Sequence, residues 1–303
     1  MTDLEHIRFR HARQADLDAT YAVYAAATRE LMAQHGFERA FPSSVPVPAE
    51  AFRQHALARD SNGFWVAEDA GELVGACIAI RRESLWYLAE LHVLPDYQGR
   101  GIGRRLLELG LSTRKMSDRV AVTASAIQPV STALYVAAGM LPWVPVLQWE
   151  GPLPADLPPA PTSIEFCVGA EPRDLVSIDQ SVLGWPKEVD HHFMRTRGDL
   201  EQGLICDRGQ PAGYAYFSKR GKIGPAAVID EAFMEPLLLV VAQHLHDRQV
   251  NRIALSVPGP AAAANAIVQR LALKLAAPSS MLLASCALWK PGHYLVAGGD
   301  APL

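Results

Sequence analysis

Residues 85–110, LWYLAELHVLPDYQGRGIGRRLLELG, decide how this chain is read. The stretch opens with aromatic and branched side chains that favour extended backbone, ending at Val93, and from Gly103 onward it is made of helix formers. Between them lies Gln98-Gly99-Arg100-Gly101-Ile102-Gly103, rich in glycine and carrying one cation. A strand that feeds a helix through such a loop aims unpaired backbone N–H groups at one point, at the positive end of the helix. That arrangement suits a phosphate or pyrophosphate, and glycine lets the backbone approach it with no Cβ in the way. Two rival phosphate motifs are excluded. A dinucleotide fingerprint needs a third glycine where Leu106 stands, and the Gly-Lys-Ser/Thr of a Walker loop occurs nowhere in the chain.

Working outward, residues 7–11 read as a short strand, and Asp16 opens a helical pattern of Leu17, Tyr21, Tyr24, Ala25 and Leu31 that ends near Gly36. Residues 37–48 hold three prolines and read as a loop, followed by a helix over 49–59. Strands are expected at 63–68 and 72–81 around a turn at Asp69-Ala70-Gly71. Beyond the central stretch come a strand at 119–125, a short helix at 131–138 ended by Gly139, and a strand at 143–150 that closes the first half. Residues 151–162, GPLPADLPPAPT, read as a stiff linker.

From residue 163 the first half returns in worn form. Residues 163–168 mirror the first strand, 173–183 the first helix, 203–208 and 211–219 the hairpin, and Arg252-Ile-Ala-Leu255 stands opposite Arg119-Val-Ala-Val122. The second copy lacks the glycine loop, with Ala226-Ala-Val-Ile-Asp-Glu231 in its place, and the same offset sets Val268 opposite Tyr135. This half is expected to be structural, a lid, or a contributor to a shared substrate cleft. The domain reading is therefore 1–150, a linker over 151–162, and 163–303. The fold class is α/β of the α+β type, each half a mixed, mostly antiparallel sheet flanked by helices.

With 303 residues, half of them apolar, there is material for two packed cores. A net charge of −4 without a long basic block gives no support to a nucleic-acid partner. Cys77, Cys167, Cys206 and Cys286 are scattered without a C-x-x-C, which fits free thiols in a reducing compartment better than disulfides or zinc. No signal-peptide core and no apolar run of about 18 residues is present, so a cytoplasmic protein with no membrane partner is expected.

Loop and strand together resemble the GNAT superfamily of acyl-CoA-dependent N-acetyltransferases. Val93, Gln98, Gly101 and Gly103 reproduce its strand-Val, Gln/Arg-x-x-Gly-x-Gly signature, and Ala133-Leu-Tyr135-Val-Ala-Ala-Gly139-Met140 is similar to its A-L-Y-x-x-x-G-F helix. The resemblance covers about residues 5 to 150, with Gln128 where the family often has Asn; the whole chain then resembles a tandem arrangement with a degenerate second half. It implies acetyl-CoA as co-substrate, no metal, and a primary-amine acceptor on a small molecule or peptide. Backbone N–H groups of Gln98, Gly99, Arg100, Gly101, Ile102, Gly103 and Arg104 would cradle the pyrophosphate, with Arg100 or Arg104 adding charge. The backbone of Leu91, His92 and Val93 would pair with the pantetheine arm as a false strand. A monomer or homodimer would serve this chemistry equally.

Acyl transfer from a thioester to an amine poses two proton problems. An amine of pKa about 10 is mostly cationic at pH 7, and freeing its lone pair unassisted costs roughly 4–5 kcal/mol. A general base must take that proton, and an acid near the departing thiolate favours its release. By resemblance Tyr135 holds the acid position. For the base, Glu90 is the only carboxylate on the central strand, yet strict alternation points it away from Val93 unless a bulge intervenes. The family's usual position falls here on Ala89 or Tyr87, so bound water, Glu68 or a residue of the second half stay open as alternatives. A coenzyme A-binding sensor without catalysis is the competing functional class. Phe37, Arg39 and Phe41 sit where the family builds its acceptor pocket. Cys77 is expected in the core. His244 and His246 do not share a helix face, and His191-His192 reads as a solvated helix start.

Overall fold

The computed structural model describes residues 4–37, 47–276 and 278–297. Two compact units divide the chain, one taking residues up to 142 together with 283–286, the other 143–282 and 287 onward. The first unit runs β1 (Ile7–His11), α1 (Leu17–Gln34), α2 (Val47–Arg59), β2 (Phe64–Asp69), β3 (Glu72–Arg82), β4 (Leu85–Val93), α3 (Ile102–Leu111), β5 (Arg119–Ser125) and α4 (Pro129–Ala137). Its sheet follows the order β1-β2-β3-β4-β5, antiparallel throughout except for the β4–β5 pair, which α3 connects.

The second unit holds β6 (Leu141–Pro152, from Trp143), β7 (Ile164–Val168), α5 (Pro172–Val182), α6 (Glu188–Thr196), β8 (Leu200–Asp207), β9 (Gln210–Ser218), β10 (Lys222–Val228), α7 (Met234–Asp247), β11 (Arg252–Pro258) and α8 (Ala262–Arg270). The short strands β12 (Lys274–Leu275) and β14 (Tyr294–Leu295) belong to it too, whereas β13 (Ser280–Ala284) is divided between the units. Its sheet order is β7-β8-β9-β10-β11-β6, again antiparallel apart from the β10–β11 pair bridged by α7.

Local backbone features repeat with the topology. The β2–β3 turn has Ala70 at φ 48° and Gly71 at φ 94°, and the β8–β9 turn has Arg208 at 50° and Gly209 at 74°, both the two-residue form that suits twisted hairpins. The register slips between Ala67 and Glu68 in one hairpin and between Ile205 and Cys206 in the other. β10 has no counterpart among the strands expected from sequence, because its small residues, Gly224 to Ala227, carry no β-former signal.

Two boundaries differ from the sequence reading. The strand expected to close the first half pairs instead with β11, from Arg252↔Pro152 to Pro258↔Val146, and so lies in the second unit. The proline-rich stretch packs rather than links. Leu153 is buried, donates its N–H to the Asn251 carbonyl at 2.8 Å, and with Leu157 and Ala160 lies against the second unit's core. Leucines spaced among the prolines supply the apolar contact that a free linker lacks.

Close packing of α3 on the first sheet is a matter of small residues. Ile102, Leu106, Leu107 and Gly110 form its buried stripe. A Cβ on Gly75 of β3 would meet Leu106 at 3.0 Å, and one on Gly110 would meet the Cys77 sulfur at 3.0 Å. The Trp86 indole N–H spans this seam to the Gly110 carbonyl at 3.2 Å and the Thr113 hydroxyl at 3.0 Å.

Candidate active site

The glycine loop takes the shape its composition calls for. Gly99 (φ 76°) and Gly101 (φ 91°) both occupy the left-handed region, and Gly101 caps α3. Among the described residues, no backbone N–H from Gly99 to Arg104 donates to a carbonyl or side chain; the first helical bond runs from Arg105 to Gly101 at 3.1 Å. Gln98 departs from expectation. Its N–H closes a turn onto the Pro95 carbonyl at 3.1 Å and its side-chain amide donates to the Val93 carbonyl at 3.0 Å, so it braces the loop. Arg100 lies over the Tyr97 ring, 4.8 Å from its centroid, and donates to the Asp96 carbonyl at 2.6 Å, while Arg104 is exposed.

Beside the loop the sheet opens. β5 pairs with β4 only from Leu85↔Arg119 to Leu88↔Val122. The β3–β4 register slips at Ala89, which has no partner between Ala79↔Leu88 and Ile78↔Glu90. Past that bulge the outer edge of β4, including Leu91, His92 and Val93, has no strand partner among the described residues. The unpaired amides and the open edge thus meet at the end of one strand, where an arm bearing amide groups and ending in a diphosphate fits.

Tyr135 of α4 is buried, and its hydroxyl makes no hydrogen bond among the described residues. Burial pushes its phenol well above the ordinary value, with Cys77 and Tyr87 adding to the effect, so it is a protonated donor at neutral pH. Gln128 serves as the α4 cap, its side-chain oxygen accepting from Val130 at 3.3 Å. Cys77 is fully buried and its thiol is likewise raised by burial.

Glu90 lies on the face away from Val93, as alternation requires, because the bulge precedes it. That face looks onto α1 and α2. Glu90 accepts from the Arg53 guanidinium at 2.6 Å, and Arg53, only 1% exposed, sits 5.2 and 5.1 Å from the rings of Tyr21 and Tyr24. Burial raises the Glu90 pKa while Arg53 opposes that rise. His92 packs edge-on to Tyr24 and is pulled down to about 3, first by burial and then by Arg53, so it is neutral near pH 7. Glu68 is taken up by Arg10 at 2.8 Å. Arg53 escaped the sequence reading, though a cation beside Phe52 and three residues before Ala56, on the apolar stripe of a helix, is a legible signal. Phe37 ends the first described segment; Arg39 and Phe41 lie outside the described residues.

The second unit repeats the scaffold with its cleft filled. β11 pairs with β10 only at Lys222↔Ala254 and Ile223↔Leu255, short of an irregularity at Gly224 and Pro225. Beyond it the freed edge of β10 is taken by the chain itself, through Ala226↔Leu295 and Ala227↔Tyr294. Residues 226–228 are therefore strand, and the loop equivalent begins at Ile229, where Asp230 already accepts from the Ala232 N–H at 2.9 Å. Val268 is the seventh residue of α8 as Tyr135 is of α4, and it is fully buried. Leu295→Ala, which empties a buried site in this plug, is expected to cost about 2–5 kcal/mol of stability by calorimetry while leaving coenzyme affinity unchanged.

His191 overturns its expected solvated role. It is 1% exposed, contacts Asp179 at 2.7 Å and the Tyr216 hydroxyl at 2.9 Å, and Tyr214 donates to the same aspartate at 2.6 Å. The buried face of α6 includes it with Asp190, Phe193 and Met194, so of the two histidines His192 alone is exposed. Among the described residues no cluster of three His, Cys, Asp or Glu could hold a metal, and no helix is long and apolar enough to cross a membrane.

Comparison with known proteins gives the class of protein that carries this loop, open edge and buried tyrosine. The model of the acetyltransferase (GNAT) family matches residues 25–140. An uncharacterized N-acetyltransferase of Archaeoglobus fulgidus is 33% identical over 112 residues, 35% of this chain and 71% of that protein. Across almost the whole chain the fold is shared with a protein of Pyrococcus horikoshii (TM-score 0.76, 16% identity, 98% of this chain and 96% of that one). It is shared too with a GCN5-related N-acetyltransferase from Sphaerobacter thermophilus (0.65, 18%, 95% and 96%) and a tandem GNAT protein from the clavulanic acid biosynthesis pathway (0.58, 17%, 92% and 98%). This chain belongs to the GNAT acetyltransferase family. It is an acyltransferase with two GNAT-type units in tandem.

Proposed function

We propose that the first unit transfers an acetyl group from acetyl-CoA to a primary amine of a small molecule or peptide, by direct attack in a ternary complex. The observation that carries this reading is the run of six unpaired N–H groups from Gly99 to Arg104 beside the open edge of β4. Those amides hold the diphosphate, and the freed backbone of Leu91 and His92 pairs with the pantetheine arm. The Val93 carbonyl is less available, since Gln98 already occupies it.

In the reaction the Glu90 carboxylate accepts a proton from the attacking amine, the nitrogen forms its bond to the thioester carbonyl, and the carbon–sulfur bond breaks. Tyr135 protonates the departing sulfur. Burial keeps this phenol protonated at neutral pH, so its O–H is present to donate to the sulfur as negative charge develops there. Cys77 takes no part, being buried and protonated, so no acyl-enzyme is required.

Incubation with acetyl-CoA and a panel of amines, following free thiol and acetylated product, tests the reading. Amine-dependent thiol release with one equivalent of coenzyme A bound per chain is expected. Binding without turnover on any amine would identify a coenzyme A-binding sensor instead.

A further inference from the structure

We propose that Arg53 is a positioning residue for the proton-accepting carboxylate of Glu90. The inference rests on Glu90 being the base. The guanidinium reaches the Glu90 Oε2 at 2.6 Å, while Oε1 has no hydrogen-bond partner among the described residues and is left for the amine proton. Tyr21 and Tyr24 of α1 flank the guanidinium, so the helix pair fixes the cation and the cation fixes the carboxylate.

The pair also resolves a conflict in the site's electrostatics. A carboxylate buried on the inner face of a sheet takes up a proton too readily to act as a base near neutrality, and a cation at contact distance counters this. Among the described residues, the other groups near Glu90 cannot do so. His92, beside it on β4, is neutral; Cys77, on the α3 side of β3, is a protonated thiol; Tyr21 and Tyr24 bring rings. Among the described residues Arg53 is thus the cation that opposes the rise burial imposes on Glu90.

The pH profile of kcat/KM for the amine separates this role from simple packing. The acid limb reports protonation of the base, so removing the cation raises the Glu90 pKa and moves that limb to higher pH. R53Q is expected to move it up by about one to two pH units, with acetyl-CoA affinity unchanged and much of the rate recovered on the alkaline side. R53K keeps a charge but not the reach or the planar fork, and is expected to move it by about half a unit in the same direction. An acid limb at the wild-type pH in R53Q, or in R53K where R53Q does not fold, overturns the inference. E90Q isolates the premise: a retained wild-type limb in E90Q removes Glu90 as the base, whereas loss of the limb in E90Q with no shift in the Arg53 variants defeats the positioning role alone.

Discussion

Tyr135→Phe is expected to lower kcat by about a hundredfold to a thousandfold while the Kd for acetyl-CoA stays near the wild-type value. The substitution deletes one oxygen and keeps the ring that packs in the buried site, so neither fold nor coenzyme cleft is disturbed. What is lost is the proton offered to the departing thiolate. Because the hydroxyl makes no hydrogen bond among the described residues, its removal leaves no partner stranded, and the change is expected to raise rather than lower stability slightly. Thiol release at saturating amine, with isothermal titration of acetyl-CoA alongside, reads both quantities. An unchanged kcat would remove Tyr135 from the acid role, and a weakened Kd would recast it as a coenzyme contact.

Gly101→Val is expected to weaken acetyl-CoA binding by about tenfold to a hundredfold. At φ 91° a β-branched residue is strained by about 1–3 kcal/mol, and the backbone relieves this by turning. Turning the residue that caps α3 re-aims the amides behind it, and hydrogen bonds to a charged group contribute about 1.5–3 kcal/mol each. Gly71→Val provides the control. It places the same side chain at φ 94° in the β2–β3 turn, where a Cβ meets no neighbour within 4 Å. Lower stability with unchanged coenzyme affinity is expected there. Equal loss of affinity in both variants would show that Gly101 acts through stability alone and not through the cradle.

The elements that carry the first unit's candidate site were legible because their signals are local. Glycines at 99, 101 and 103 behind a β-rich run fix a strand-loop-helix, and the phase of α4 places Tyr135 without knowledge of any neighbour. Glu90 was legible only in part. Alternation gave its face relative to Val93, but the bulge at Ala89 and the Arg53 partner belong to the register of β3 and the packing of α2, about which the strand's own residues are silent. His191 was misread for a related reason: a histidine pair at the start of a helix carries no mark of the aspartate and tyrosine that bury one member of it.

The sequence by itself determined the duplicated order of elements, the glycine loop and its loss from the second half, since each depends on backbone preferences of neighbouring residues. Only the tertiary structure decided which strands share a sheet and what fills the second cleft. The strand at residues 141–152 reads the same whichever partner it takes, and Tyr294–Leu295 is too short to show any period, yet it closes on β10 an edge whose counterpart on β4 is open. Pairing of distant strands is set by which edges remain unsatisfied once the units have packed, and no local preference records that.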